Sequence, residues 1–133
     1  MEKKKEELLF KKFKWYHSEK SLSESLMSFG FMSGDGWFKL IKRLSEDIDR
    51  EIRRLTEDVC KDFCVVEVKE KFGGLRFYVN YTPTDKIYEL INKAEKESYK
   101  ICEECGKKGK LRNKLSWWQT LCDKCLQKVI KRK

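Results

Sequence analysis

The apolar positions of this chain change period several times, and each change marks an element. Residues 2–16 space Leu8, Leu9, Phe13 and Tyr16 at helical intervals among Lys and Glu, which predicts an amphipathic helix docked on a core. Residues 17–36 lose that period and gain Ser and Gly. There, Ser33-Gly34-Asp35-Gly36 reads as a turn leading into a helix. A long helix is expected over about 37–56, with Trp37, Leu40, Ile41, Leu44, Ile48, Ile52 and Leu55 on one stripe.

The period then falls to two. Phe63 to Lys71 and Leu75 to Tyr81 read as strands, the second with Leu75, Phe77, Val79 and Tyr81 on one face. A Gly73-Gly74 turn would join them as an antiparallel hairpin over 63–81. Pro83 ends it, and Thr84 or Asp85 caps a helix over about 84–100 with Ile87, Leu90, Ile91 and Ala94 inside. The fold class expected is α+β, with helices packed on a small antiparallel hairpin in a body of residues 1–100.

Residues 101–133 carry the strongest chemical signal. Cys102 and Cys105 form one C-x2-C pair and Cys122 and Cys125 a second, sixteen residues further on. Two such pairs supply the four thiolates of a structural zinc site. Gly106 follows the first pair where the tight turn needs positive φ. Lys110–Arg112 and Trp117–Leu121 would be hairpin strands and Leu126–Lys131 a helix, a treble-clef-like layout. Zinc is then structural, because sulfur fills all four positions. Cys60 and Cys64, among apolar neighbours, read as buried free thiols.

Composition sharpens this picture. With 133 residues, 40% hydrophobic and 40% charged, the chain suits one domain with a thin core. No apolar run is long enough to span a membrane, and no apolar stretch follows the N-terminal lysines, so a cytoplasmic protein without a membrane partner is expected. The charge is uneven: residues 102–133 hold ten Lys or Arg against three Asp or Glu, +7 of the chain's net +9. Lys107, Lys108, Lys110, Arg112 and Lys114 crowd one loop, and Lys128, Lys131, Arg132 and Lys133 crowd the end. Trp117 and Trp118 lie between. Cations neutralise phosphates and exposed aromatics stack on bases, so this surface is a candidate for binding DNA or RNA. The same Trp and Arg content suits a protein interface, so an adaptor or an inhibitor occupying an acidic or nucleic-acid-binding protein is the alternative.

Catalysis has little to work with. His17 is the single histidine, and nothing near it suggests a nucleophile–base pair. Asp35 with Glu67 and Lys69 echoes a metal-dependent nuclease, but Asp35 precedes a helix where that pattern wants a strand. No catalytic residue is assigned.

Gly34-Asp35-Gly36-Trp37, Val68–Tyr78 (VKEKFGGLRFY) and the cysteine pairs with Trp117 and Leu121 resemble a family of small uncharacterised bacterial and bacteriophage zinc-finger proteins. The resemblance covers about residues 34–125. It implies a prokaryotic or phage setting, and with it DNA transactions or the blocking of host defences. Asp35, Lys69, Lys71 and Arg76 form a possible second site near the hairpin turn. The structural alternative has Asp35 capping the long helix and pairing with Lys71 or Arg76. With the finger simply attached to the last helix, Cys122→Ser would unfold the finger and leave the body folded.

Overall fold

The computed structural model describes residues 1–16 and 20–131. His17, Arg132 and Lys133 lie outside the described residues. The first helix, α1, spans Lys3–Lys12 and is shorter than its pattern suggests. The chain turns extended at Phe13 (φ −121°, ψ 98°) and closes a 3-10 turn over Lys14–Tyr16. A continuous helix would point Phe13 and Trp15 roughly 200° apart. The break lets Phe13, Trp15 and Tyr16 all enter the core. Leu8, expected inside, is exposed.

Tyr16 is the hub of an aromatic cluster. It stacks on Trp15 with ring centroids 4.7 Å apart and meets Phe31 and Phe77 edge-on. Its hydroxyl shares a 2.5 Å hydrogen bond with Ser45, so a fully buried phenol keeps a partner. Residues 25–32 lie beside the hairpin without forming a full strand. The Leu26 amide donates to Val66 O, the Met32 amide to Val68 O, and the Glu70 amide to Met32 O.

α2 runs Phe38–Arg53 after a 3-10 turn at Asp35–Trp37. Trp37, Leu40, Ile41, Leu44 and Ile48 are buried as the stripe predicts. The expected last turn to residue 56 is absent, and a four-residue helix, α3 (Glu57–Cys60), follows. Such a helix is too short to leave a periodic signal. Ile52 and Leu55 are accordingly only half-buried. Cys64 is buried and Cys60 half-buried, both as free thiols.

β1 (Val65–Lys71) and β2 (Gly74–Val79) pair antiparallel. Lys71 pairs with Gly74, so the two-residue turn is Phe72-Gly73 rather than Gly73-Gly74. α4 (Asp85–Ser98) starts at Thr84, whose side chain accepts the Ile87 amide at 3.4 Å. It packs on α2 and β2. One core runs from Leu9 to Ala94, with Ile101 at its margin.

The C-terminal unit has β3 (Lys110–Arg112), β4 (Gln119–Leu121) and α5 (Asp123–Lys131). β3 and β4 form a second antiparallel sheet. Among the described residues the fold is therefore α+β, with two small sheets and five α-helices. β4 begins two residues later than its pattern suggests, which leaves Trp117 and Trp118 in the loop before it. No helix among the described residues is long and apolar enough to cross a membrane.

Candidate metal centre and adjoining aromatic cleft

Local backbone bonds build the metal centre. The Cys102 amide donates to Lys107 O at 2.7 Å, the Gly106 amide to Cys102 O at 2.9 Å, and Gly106 takes φ +83°. This knuckle presents Cys102 and Cys105. Cys122 immediately precedes α5, and Cys125 lies in its first turn. The Cys125 amide points at the Cys122 sulfur, 3.4 Å away.

All four sulfurs lie within 4.8 Å of one another. Cys105 Sγ and Cys122 Sγ are 3.7 Å apart. A zinc–sulfur bond of about 2.3 Å places tetrahedral ligands about 3.8 Å apart, close to the separation of the Cys105 and Cys122 sulfurs, so the donor set suits such an ion. The Cys125 amide lowers Cys122 to about 7, while burial and then the Cys122 sulfur push Cys125 up to about 12. Four thiolates in this space need a cation to coexist. These four residues are positioned to hold a metal ion.

The body grips this centre through the two glycine-containing motifs. The Gly34 amide donates to Glu103 Oε2 at 2.9 Å and the Gly36 amide to Glu103 O at 2.7 Å. Trp37 Nε1 donates to Ile101 O at 2.9 Å. A methyl group on Gly36 would overlap the Cys102 carbonyl oxygen and lie 2.5 Å from the Glu103 carbonyl carbon. From the other side, Thr120 Oγ1 donates to Gly73 O at 2.6 Å, and Gly73 rests on Leu111. Glu103 is 8% exposed. Burial raises its carboxyl above the usual range, and the Gly34 amide pulls it partly back.

This docking redirects Asp35. Its backbone neighbours face the knuckle, so its carboxylate turns to α1, accepting the Glu2 amide at 2.6 Å and pairing with Lys5 at 3.7 Å. Asp35 neither caps α2 nor pairs with Lys71 or Arg76. Lys69 and Arg76 oppose each other across the hairpin. Lys69 pairs with Glu67 at 3.5 Å, and Lys71 lies over the Phe72 ring at 5.8 Å. The four possible second-site residues therefore do not converge.

Of the finger's basic residues, Lys107, Lys108, Lys110, Lys114, Lys128 and Lys131 are exposed. Arg112 is committed internally, donating to Leu121 O at 3.0 Å and to Asp123 at 2.8 Å. Trp117 and Trp118, expected in a strand, lie in the loop before β4 and flank one cleft. Glu70, Phe72, Arg76, Tyr99, Leu111 and Ser116 complete its walls, and its volume is about 890 Å³. The structure thus brings Arg76 of the hairpin motif to the Trp pair of the finger.

Phe72 and Tyr99 were not marked by sequence reasoning. The available signal was an aromatic residue at a hairpin tip, where Asn or Gly is usual. Comparison of the chain with protein-family models, curated proteins and solved structures finds no match.

Proposed function

We propose that the protein is a non-enzymatic zinc-binding protein whose basic C-terminal finger, read as treble-clef-like from its knuckle, hairpin and helix order, binds nucleic acid. The observation that carries this reading is the contrast between two sets of cations. On α2 and at its C-cap, Arg43, Arg50, Arg53 and Arg54 each pair with a carboxylate. On the finger, Lys107, Lys108, Lys110, Lys114, Lys128 and Lys131 are exposed, with no ion pair among the described residues. A zinc tetrathiolate would fix their spacing, and its charge of about −2 offsets little of the segment's +7. Phosphates are the natural counter-charge.

A bacterial or phage setting, which the family resemblance implies, and a cytoplasmic location belong to the same proposal. The second reading is an adaptor or inhibitor that binds an acidic or nucleic-acid-binding protein. The exposed Phe72 and Trp118 beside Arg76 favour it, because such residues anchor protein interfaces.

Fluorescence anisotropy tests the first reading. Labelled single- and double-stranded oligonucleotides are titrated with zinc-loaded protein at about 50 and 200 mM salt. The control changes Lys107, Lys108, Lys110 and Lys114 to Glu. The expected result is binding that weakens steeply with salt and disappears in the control. No binding at the lower salt removes this reading and leaves the protein-partner one.

A further inference from the structure

Phe72 sits where the fold disfavours it. It occupies the first position of the two-residue turn joining β1 and β2 at φ +53°, followed by Gly73 at +86°. Among the described residues, Phe72 is the one non-glycine with positive φ. Aromatic side chains are strained in that left-handed region, and Asn-Gly is the pair such turns prefer. Burial does not compensate, since the side chain is 64% exposed. A strained and exposed aromatic, held at a fixed place by a tight turn, points to a ligand.

Its surroundings identify the ligand's chemistry. The Phe72 ring meets Trp118 at 6.2 Å with planes 67° apart, and Trp118 is itself 47% exposed. Tyr99 lines the same cleft. Arg76 lies there with its guanidinium oriented by Leu75 O at 2.9 Å and Tyr99 Oη at 3.2 Å. Those two bonds use two of its five N–H groups. Glu70, the acid lining the cleft, has one oxygen engaged by the Gly73 amide at 2.7 Å. Lys71 stands over the Phe72 ring. The cleft therefore offers flat aromatic faces, one oriented guanidinium and a nearby lysine.

We infer that this cleft stacks unpaired bases, so that the nucleic acid bound by the finger is single-stranded. The inference rests on the nucleic-acid reading above and adds the form of the ligand to it. In a duplex the base faces are covered by their neighbours, so aromatic side chains gain contact only with bases that are unpaired or turned out. The cleft volume lies near the upper end of small-ligand sites, roughly 300–1,000 Å³, which leaves room for more than one base. Lysines on the finger contact the backbone while the hairpin tip and Trp118 take the bases.

The test uses the zinc-loaded full chain and three labelled probes with equal numbers of phosphates: a thymidine homopolymer strand, an abasic strand and a duplex. The parent should bind the thymidine strand at least about tenfold more tightly than the abasic strand. Phe72→Asn and Trp118→Ala should each weaken thymidine-strand binding by about five- to hundredfold, with an unchanged salt slope and unchanged abasic affinity. Phe72→Asn should also unfold at the same denaturant concentration as the parent or a higher one, which separates lost binding from lost folding. Equal affinity for thymidine and abasic strands, or a Phe72→Asn variant that binds like the parent, overturns the inference. If the lysine-to-glutamate control meanwhile loses all three probes, nucleic-acid binding by the finger stands without it. If no probe binds the parent at low salt, both fall and the cleft belongs to a protein partner.

Discussion

Gly36→Ala should be among the most damaging single-methyl additions in this chain. The Gly36 α-carbon lies against the carbonyls of Cys102 and Glu103, with no room for a methyl group. The obstruction is backbone, so no side chain can swing aside. The segment must back away from the knuckle and stretch three bonds: Gly36 amide to Glu103 O, Gly34 amide to Glu103 carboxylate, and Trp37 Nε1 to Ile101 O. Neutral bonds contribute about 1 kcal/mol each and one to a charged group about 1.5–3 kcal/mol, so the loss is about 3–5 kcal/mol. For a chain of this size that corresponds to a fall in Tm of roughly 10–20 °C. Urea unfolding followed by far-UV circular dichroism measures it. Chelator competition should show weaker zinc binding as well, because the displaced carbonyls belong to the knuckle that holds Cys102 and Cys105. An unfolding free energy within about 1 kcal/mol of the parent, with unchanged zinc affinity, would refute the docking argument.

Three further outcomes follow from the same geometry. Removing zinc with a chelator, or Cys122→Ser, should lower the unfolding midpoint of the body together with that of the finger; a body midpoint indifferent to zinc would show the two to be independent. Arg112→Ala should cost the finger about 1–2 kcal/mol through its lost bond to Leu121 O and leave the salt slope of binding unchanged, whereas Lys110→Ala should reduce that slope by about 0.7–0.9; anisotropy at several salt concentrations separates them. Tyr16→Phe should destabilise by about 1 kcal/mol near neutral pH, since Ser45 keeps its bond to Ile41 O. Burial raises the Tyr16 phenol above its ordinary value near 10, so the folded state holds that proton more tightly and the parent loses stability as pH rises past about 10. The Phe variant lacks this loss, and the stability gap should narrow in alkaline urea titrations.

What the sequence made legible was local. The four cysteines needed only spacing, and the stripe from Trp37 to Ile48 needed only a period. What stayed hidden depended on partners distant in the chain. The pattern of residues 2–16 is compatible with one helix, and only packing against Phe31 and Phe77 explains why the helix stops at Lys12. Asp35 has the composition of a cap, yet its direction is decided by a backbone contact to Glu103, roughly seventy residues away. Trp117 and Trp118 read as strand residues, but β4 begins only at Gln119, and the preceding loop brings both to one cleft. Phe72 was misplaced by one position, because Gly73-Gly74 makes a plausible turn until the Lys71–Gly74 register is known.

The two glycine motifs then have a common explanation. Gly34, Gly36 and Trp37 grip the knuckle backbone, while Gly73 meets Leu111 and Thr120 of the finger's sheet. At the first, two backbones approach closely; at the second, Gly73 takes positive φ and a β-carbon there would meet the Leu111 side chain, so the small residues of both are accounted for without any catalytic role. Gly73 answers to its positive φ and to Leu111, but nothing in the docking requires an aromatic ring at residue 72, which meets the edge of Trp118 and the Lys71 ammonium. A tip designed for stability alone would place Asn before that glycine. The excess of chemistry over architectural need therefore falls on Phe72 and Trp118, at the mouth of the cleft, and it is there that substitution should separate binding from folding.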